Sequence, residues 1–188
     1  MLIIIDGLDG SGKSTQAYLL LETLKKKQKS VCMRIHPEND NWAGKKARLF
    51  LLSKGKNAHF ASAIFYMVDV IRSVLMYSWR RVDYVLFVRY LMGTAYLPKP
   101  LHIIGYNFFA CTLPKSKNMY FLDIAPEEAA KRIKENRTET EMFESYESLK
   151  KVRCKAIELT RFNEWTIVDG SKPTEKIAQI LIGYLSNK

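Results

Sequence analysis

The sequence has no hydrophobic run long enough to span a membrane. Its most apolar region, residues 60–77, is interrupted by Asp69 and Arg72, whereas a spanning helix needs about 20 consecutive apolar residues. The opening apolar run is five residues long and ends at Asp6, which is too short for a secretory signal. We therefore expect no membrane association, and we expect residues 60–77 to form a buried helix.

Cysteine is also scarce. Cys32, Cys111 and Cys154 are odd in number and widely spaced, which fits neither a disulfide framework nor a paired metal site. This usage is typical of a reducing compartment, so we predict a cytoplasmic protein.

Linkers and repeats are missing as well. No segment rich in Gly, Pro or Ser divides the 188 residues, and no repeat recurs at solenoid periods. With 47% hydrophobic and 26% charged residues, the chain can bury a sizeable core. The sequence thus predicts one domain over residues 1–188.

Acidic residues are too few to balance the basic ones. The chain has 30 Lys and Arg against 19 Asp and Glu, a net charge of +11, which fits either a nucleic-acid polymer or a small anionic substrate. The lysines at 25, 26, 27 and 29 lie where the first helix should end, and positive charge is favourable there. We therefore expect a small anion and no dedicated polynucleotide site.

The hydrophobic pattern that is present alternates between strands and helices, which is typical of a parallel α/β sheet with helices on both faces. Five strand-like runs lie at residues 2–5, 31–35, 84–88, 119–123 and 165–168. Helical stripes follow Pro126 and recur over residues 149–159 and 177–184. Residues 97–118 contain three prolines and fit a short helix, a strand or a packed loop.

A phosphate-binding motif directly follows the first strand. Its pattern is G-x-x-x-x-G-K-[ST], and it reads Gly7-Leu8-Asp9-Gly10-Ser11-Gly12-Lys13-Ser14. The backbone N–H groups of such a loop, together with the N-terminus of the helix after it, hold phosphate oxygens. Lys13 can reach the β- and γ-phosphates, and the Ser14 hydroxyl is a Mg²⁺ ligand. The motif therefore predicts a nucleoside triphosphate with Mg²⁺, but it does not identify the phosphate acceptor.

Several segments, in order, resemble the thymidylate kinase family of nucleoside monophosphate kinases. The first is the phosphate loop with its acidic Asp9 and the Thr15-Gln16 that follows. The others are Tyr120-Phe121-Leu122-Asp123, Pro126-Glu127-Glu128, Arg132-Ile133, Phe143-Glu144, Val152-Arg153 and Trp165-Thr166-Ile167-Val168-Asp169-Gly170. The resemblance covers essentially the whole chain and implies a three-layer P-loop NTPase fold with a lid near residues 131–145. It also implies that residues 7–15 and Arg132 bind ATP.

The resemblance assigns acceptor-side roles to Asp9 and Arg89. In the family, the carboxylate matching Asp9 approaches the 3′-hydroxyl of the acceptor's sugar. The alternative is a turn-forming Asp whose side chain hydrogen-bonds its own backbone. Arg89 follows a strand, at the edge where ligands bind in open α/β sheets. It matches the family's Asp-Arg-Tyr arginine, which can clamp phosphate oxygens. Val88 replaces the Asp with which the family organises its magnesium shell, a departure that bears on either metal geometry or catalytic competence.

An aromatic ring should stack on the acceptor base. The resemblance places either Phe65 or Tyr66 there, and core packing is an alternative role for both. The arginine with which the family reads thymine is replaced by Asp69 or Val70, depending on the alignment. Tyr96 joins the acceptor-binding set through the same resemblance.

Pro37-Glu38 resembles the family's Pro-Glu-Arg turn, but Asn39 replaces the arginine that binds the acceptor phosphate, and Arg34 or Lys45 could substitute for it. In the lid, Arg137 is our first choice for the residue that closes over the transferred phosphoryl group. Solvated helices are the alternative for this charged region.

The sequence therefore predicts a kinase that transfers the γ-phosphoryl group of ATP to a nucleoside monophosphate, most simply dTMP, with Lys13, Arg89 and Arg137 as catalytic residues. Two alternatives stay open: the same chemistry on another nucleotide or nucleoside, and nucleotide binding with little catalysis. The apolar helix over residues 60–77 suggests a homodimer.

Overall fold

The computed structural model describes residues 1–53, 56–136 and 145–186. The strands are β1 (Leu2–Gly7), β2 (Val31–Ile35), β3 (Tyr84–Val88), β4 (Met119–Asp123) and β5 (Trp165–Asp169). The helices are α1 (Lys13–Lys26), α2 (Trp42–Leu51), α3 (Lys56–Tyr77), α4 (Leu101–Thr112), α5 (Pro126–Asn136), α6 (Tyr146–Thr160) and α7 (Thr174–Ser186), with a 3₁₀ helix at Met92–Tyr96.

The five strands form one parallel sheet in the order β2-β3-β1-β4-β5. This confirms the expected architecture. Because β1 has β3 on one side and β4 on the other, the strand order reverses at β1, and ligands of open α/β sheets bind beside the carboxyl end of such a strand. The loop after β1 therefore occupies the position where a ligand is expected.

Each face of the sheet carries its own apolar core. Ile3 and Ile5 of β1 pack with Leu20 of α1 and Leu181 of α7. Ile4, between them in sequence, packs on the opposite face with residues of α3, α4 and α6. This division follows from the period of two in a strand, and burial on both faces explains why the strands read as continuous apolar runs.

The stretch from residue 97 to 118, which the sequence left open, contains α4. Tyr106 and Phe109 of this helix are buried, and the Tyr106 hydroxyl accepts hydrogen bonds from Asn163 Nδ2 at 2.9 Å and Trp165 Nε1 at 2.7 Å. Tertiary contacts with distant residues therefore select the helix here. None of the described helices is both long and apolar enough to cross a membrane.

Candidate active site

The phosphate loop joins β1 to α1 through glycines whose conformation and surroundings exclude other residues. Gly10 and Gly12 have φ of +79° and +84°, in the left-handed region that side chains disfavour. A Cβ on Gly10 would lie 2.6 Å from the Ala129 carbonyl oxygen of α5. The loop is thus packed directly against the helix that leads into the predicted lid.

The N-terminus of α1 is prepared for an anion. Gly12 provides no side-chain cap, and the first turn of α1 contains no acidic residue, so its N–H groups and helix dipole point toward the loop. Ser11 Oγ is buried without a hydrogen-bond partner among the described residues. A cavity of about 690 Å³ opens here, lined by residues 10–16, 171–174, Arg89 and Arg132. It includes much of the predicted ATP-binding set.

Asp9 is the junction of this site. Its Oδ1 accepts a hydrogen bond from Arg89 Nη2 at 2.9 Å and lies 3.6 Å from Lys13 Nζ, while its Oδ2 accepts one from the Tyr96 hydroxyl at 2.7 Å. Lys13 Nζ also donates to the Leu8 carbonyl. Burial alone would raise the pKa of Asp9, but the charges of Lys13 and Arg89 and the donated hydrogen bonds outweigh it and hold the pKa well below its ordinary value. Asp9 is therefore ionised, and four predicted site residues meet.

Arg89 reaches Asp9 from a strained backbone. Its φ is +57°, a conformation that costs a non-glycine residue roughly 1 kcal/mol. Its N–H donates to the Ile5 carbonyl at 3.1 Å. Its own carbonyl accepts hydrogen bonds from the Tyr66 hydroxyl at 2.6 Å and from His36 Nδ1 at 3.0 Å. The surroundings thus impose the conformation of this residue.

Asp6 holds the chain just after Arg89. This buried carboxylate lies one residue before the end of β1, and its Oδ2 accepts hydrogen bonds from the backbone N–H groups of Tyr90 at 2.8 Å and Met92 at 3.1 Å. Burial raises the pKa of Asp6 despite these donors. Sequence reasoning gave no role to Asp6 or His36. Their position at the carboxyl ends of β1 and β2 was the available indication, because ligand sites gather at that edge.

The two candidate stacking rings lie in different surroundings. The Tyr66 hydroxyl donates a hydrogen bond to the Arg89 carbonyl, so its ring lies beside Arg89. Phe65 packs against α2, edge-on to Trp42 at 5.8 Å and stacked on Phe50 at 5.6 Å between ring centroids. The described geometry thus brings Tyr66, rather than Phe65, to the Asp9 junction.

The turn after β2 is held by Asp69 of α3. This fully buried carboxylate accepts hydrogen bonds from the Glu38 N–H at 2.9 Å and from Asn41 Nδ2 at 2.7 Å. Glu38 Oε1 in turn accepts from the Ile35 N–H at 3.1 Å. Pro37-Glu38 therefore lies just beyond the carboxyl end of β2, where both the backbone and the side chain of Glu38 are hydrogen-bonded.

Arg34, one of two residues suggested as a substitute for the missing phosphate-binding arginine, is already engaged. Its Nη2 donates to Asp40 Oδ1 at 2.8 Å, and its guanidinium lies 4.5 Å from the centre of the Tyr77 ring. The other, Lys45, lies on α2 with an exposed side chain.

Arg132 of α5 lines the phosphate-loop cavity. Its Nε donates to Glu128 Oε1 at 2.9 Å and its Nη1 to the Gly170 carbonyl at 3.0 Å, so it joins the lid helix to the turn after β5. Arg137 and residues 138–144 of the predicted lid lie outside the described residues, and the role of Arg137 stays a prediction.

The donor set for a metal is small. Within the described chain, no group of three or more His, Cys, Asp and Glu residues is placed to hold an ion. Val88 is fully buried in the apolar cluster under α1 and α7. Mg²⁺ needs only one or two protein ligands when phosphates and water complete its shell. Ser14, in the cavity wall at the start of α1, therefore fits a magnesium bound together with a triphosphate.

Comparisons with known proteins agree with this geometry. Residues 5–180 match the thymidylate kinase family model. A probable thymidylate kinase from Thermococcus onnurineus is 31% identical, with 100% of this chain and 98% of the relative aligned. One from Methanocaldococcus jannaschii is 30% identical, covering 100% and 96%.

The fold is shared with a solved structure, the thymidylate kinase of Candida albicans. The two superpose with a TM-score of 0.80 at 22% identity, over 99% of this chain and 91% of the other. This likeness establishes the P-loop NTPase fold. Taken with the match over residues 5–180, it shows that the chain belongs to the thymidylate kinase family of nucleoside monophosphate kinases.

Proposed function

We propose that this protein transfers the γ-phosphoryl group of ATP to dTMP, giving ADP and dTDP. One observation carries the proposal: the buried carboxylate of Asp9 joins the phosphate loop, through Lys13 at 3.6 Å, to Arg89 at 2.9 Å and Tyr96 at 2.7 Å on the acceptor side. On this proposal, the donor site and the acceptor site share Asp9.

The donor side is the phosphate-loop cavity. Backbone N–H groups of residues 10–15 would hold the phosphates of ATP, with Lys13 neutralising the β- and γ-oxygens. Arg132, fixed by Glu128 and Gly170, would border the nucleotide. Magnesium held by Ser14 supplies further neutralisation of the phosphate charge when bound.

The reaction needs no covalent enzyme intermediate. An oxygen of the acceptor phosphate forms a bond to the γ-phosphorus, while the bond from that phosphorus to the β–γ bridging oxygen breaks and ADP leaves. Negative charge spreads over the transferred oxygens, and fixed cations that meet them lower the barrier. We assign this task to Lys13 and Arg89, which both lie beside Asp9, and to Arg137 in the lid.

On the acceptor side, Tyr66 is our choice for the ring under the base. Arg89 would hold the acceptor phosphate, and Asp9 and Tyr96 the sugar. Pro37 and Glu38 would form the wall of the acceptor site next to β2. Phe65 would support that wall indirectly, by stacking on Phe50 of α2.

A second candidate is transfer to a different nucleoside monophosphate. It is favoured by Val70, buried at 2% exposure on the register that makes Tyr66 the stacking ring. An aliphatic side chain there cannot hydrogen-bond a base edge, and hydrogen bonding is how sites discriminate strongly between related bases.

The test is an ADP-release assay with ATP, Mg²⁺ and a panel of nucleoside monophosphates and nucleosides. Preference for dTMP supports the first candidate and preference for another monophosphate the second. ATP binding without turnover on any acceptor would contradict both, and it is the outcome expected if Val88 has removed catalysis.

We further infer a cytoplasmic homodimer. The support for the dimer is a set of exposed apolar side chains on α3: Ile64 at 39%, Leu75 at 67% and Met76 at 49% exposure. Light scattering with size-exclusion chromatography measures the mass, and a monomer at micromolar concentration would contradict this inference.

A further inference from the structure

The backbone carbonyl of Arg89 accepts hydrogen bonds from two side chains on different elements. The Tyr66 hydroxyl of α3 donates to it at 2.6 Å, and His36 Nδ1, just beyond β2, donates at 3.0 Å. His36 is fully buried and Tyr66 is partly buried, and leaving a carbonyl in such surroundings without its donors is costly. The two bonds therefore constrain the backbone at the residue that carries the guanidinium.

The tautomer of His36 follows from its neighbours. Nδ1 faces two acceptors, the carbonyls of Arg89 at 3.0 Å and of Val88 at 3.2 Å, so it carries the proton. His36 is fully buried, and burial lowers its pKa against the opposing influence of the Asp69 charge. A neutral ring that donates through Nδ1 is the state that fits the site.

Tyr66 fits because position 93 is glycine. A Cβ on Gly93 would collide with the Tyr66 ring, reaching its hydroxyl oxygen at 2.8 Å. Burial also raises the pKa of the Tyr66 hydroxyl well above its ordinary value, so the group stays a donor. The ring, the glycine and the carbonyl therefore form one packed unit.

The other polar groups around Arg89 are bonded as well. Its N–H donates to the Ile5 carbonyl at 3.1 Å, and the next N–H, of Tyr90, donates to Asp6 at 2.8 Å. Those two bonds join the backbone around Arg89 to β1. The Arg89 carbonyl is bonded separately, by Tyr66 and His36. A left-handed φ of +57° persists only where surrounding structure enforces it.

We propose that Tyr66 and His36 are positioning residues for phosphoryl transfer, which hold the Arg89 carbonyl so that its guanidinium stays on Asp9 and faces the acceptor phosphate. This inference rests on the proposed function only for the role of Arg89. Catalysis of this kind depends on geometry, and small displacements of a positioning group lower the rate strongly.

The decisive variant is Tyr66→Phe, which keeps the ring and removes only the hydroxyl. We expect kcat/KM for the acceptor to fall by about 10-fold, while the KM for ATP stays unchanged. Tyr120→Phe is the matched control, since that buried hydroxyl has no hydrogen-bond partner among the described residues and its loss should leave both constants unchanged. Equal kinetics of Tyr66→Phe and the wild-type enzyme would overturn the proposal for Tyr66.

His36 is tested with two replacements. Asn places a side-chain donor near the position of Nδ1, whereas Leu has none, so His36→Asn should retain more acceptor kcat/KM than His36→Leu. Equal losses in the two variants would show that His36 contributes volume only. Melting temperatures, measured in parallel, separate this comparison from general destabilisation.

A double-mutant cycle tests whether these residues act through Arg89. In an Arg89→Lys background, Tyr66→Phe should cost less than about 2-fold, because the group that it positions is gone. A full additional loss of about 10-fold would place the effect of Tyr66 elsewhere. An Arg89→Lys enzyme as active as the wild type would instead contradict the proposed role of Arg89.

A crystal structure of the Tyr66→Phe, His36→Leu double variant gives a readout that needs no activity. We expect φ of Arg89 to leave the left-handed region, or its bond to Asp9 to break. Retention of both would overturn the proposal even if no acceptor were found for the enzyme.

Discussion

Arg89 donates to Asp9 across 2.9 Å although the two residues are 80 positions apart in the chain. Parallel pairing of β1 with β3 brings them together, since Ile5 lies opposite Val88 in that ladder. The residues that follow the two strands thus emerge side by side. Substitutions at either residue of this ion pair should therefore change the kinetic constants for the acceptor more than those for ATP.

Replacing Lys13 with Ala should lower turnover by at least about 100-fold, because this removes the buried cation that we propose neutralises the phosphates. Steady-state ADP release measures the effect. Lys27→Ala, which removes an exposed lysine after α1, is the control and should behave as wild type. Unchanged turnover of Lys13→Ala would remove the phosphate loop from the mechanism.

Asp9→Asn keeps the shape of the side chain but removes its charge. The Arg89 guanidinium then donates to a neutral amide oxygen instead of a carboxylate, so acceptor kcat/KM should fall by about 10- to 100-fold. Asp83→Asn is the control, since Asp83 binds Ser30 at the opposite edge of the sheet and should leave kinetics unaltered. Equal effects of the two substitutions would argue against a site role for Asp9.

The low pKa of Asp9 has a definite consequence for stability in acid. The unfolded chain takes up a proton at Asp9 at about pH 3.9, whereas the folded protein does so only at lower pH. The stabilisation from Asp9 is therefore fully present above about pH 5 and is lost as the pH falls. Asp6, with a raised pKa, contributes in the opposite direction.

Urea unfolding at a series of pH values isolates the two carboxylates. Asp9→Asn should flatten the fall of the unfolding free energy between about pH 5 and pH 3, whereas Asp6→Asn should steepen it. A wild-type slope in Asp9→Asn would show that the carboxylate is not held in its charged form.

Val88→Asp restores the family's carboxylate but places it in the apolar cluster under α1 and α7. We expect a lower melting temperature in the absence of ligand, because an unpaired buried charge is unfavourable. ATP with Mg²⁺ should recover part of the loss by binding the folded state. Val88→Asn, polar but uncharged, should recover less, and equal recovery would exclude metal organisation as the cause.

Gly93→Ala should destabilise the fold by roughly 1–3 kcal/mol, because the new methyl group collides with the Tyr66 ring. Gly183→Ala is the matched control. A Cβ added to Gly183, which lies on α7, would meet no atom within 4 Å, so alanine there should stabilise the helix by about 0.5–1 kcal/mol. Denaturant unfolding measures both, and equal effects would contradict the close packing at position 93.

Local patterns in the sequence were sufficient for the strands, most helices, the phosphate loop and the family. Each depends on a short-range rule: apolar runs mark buried strands, and the glycines and Lys13 of the loop keep a fixed spacing because the backbone must wrap a phosphate group. The expected positions of Asp9 and Arg89 followed from the same strand ends, since parallel strands present their carboxyl ends at one edge.

Tertiary structure alone decided how those side chains meet. Contacts between elements place Tyr66, rather than Phe65, beside Arg89. They also make residues 101–112 helical. The turn after β2 brings Asp40 back to Arg34 and so engages its guanidinium. Neither propensity nor spacing encodes such contacts, because they are set by which elements pack together. The left-handed Arg89 held by His36 and Tyr66 is the clearest case. Its conformation is unfavourable locally and exists because residues of β1, of the turn after β2 and of α3 hydrogen-bond to its backbone.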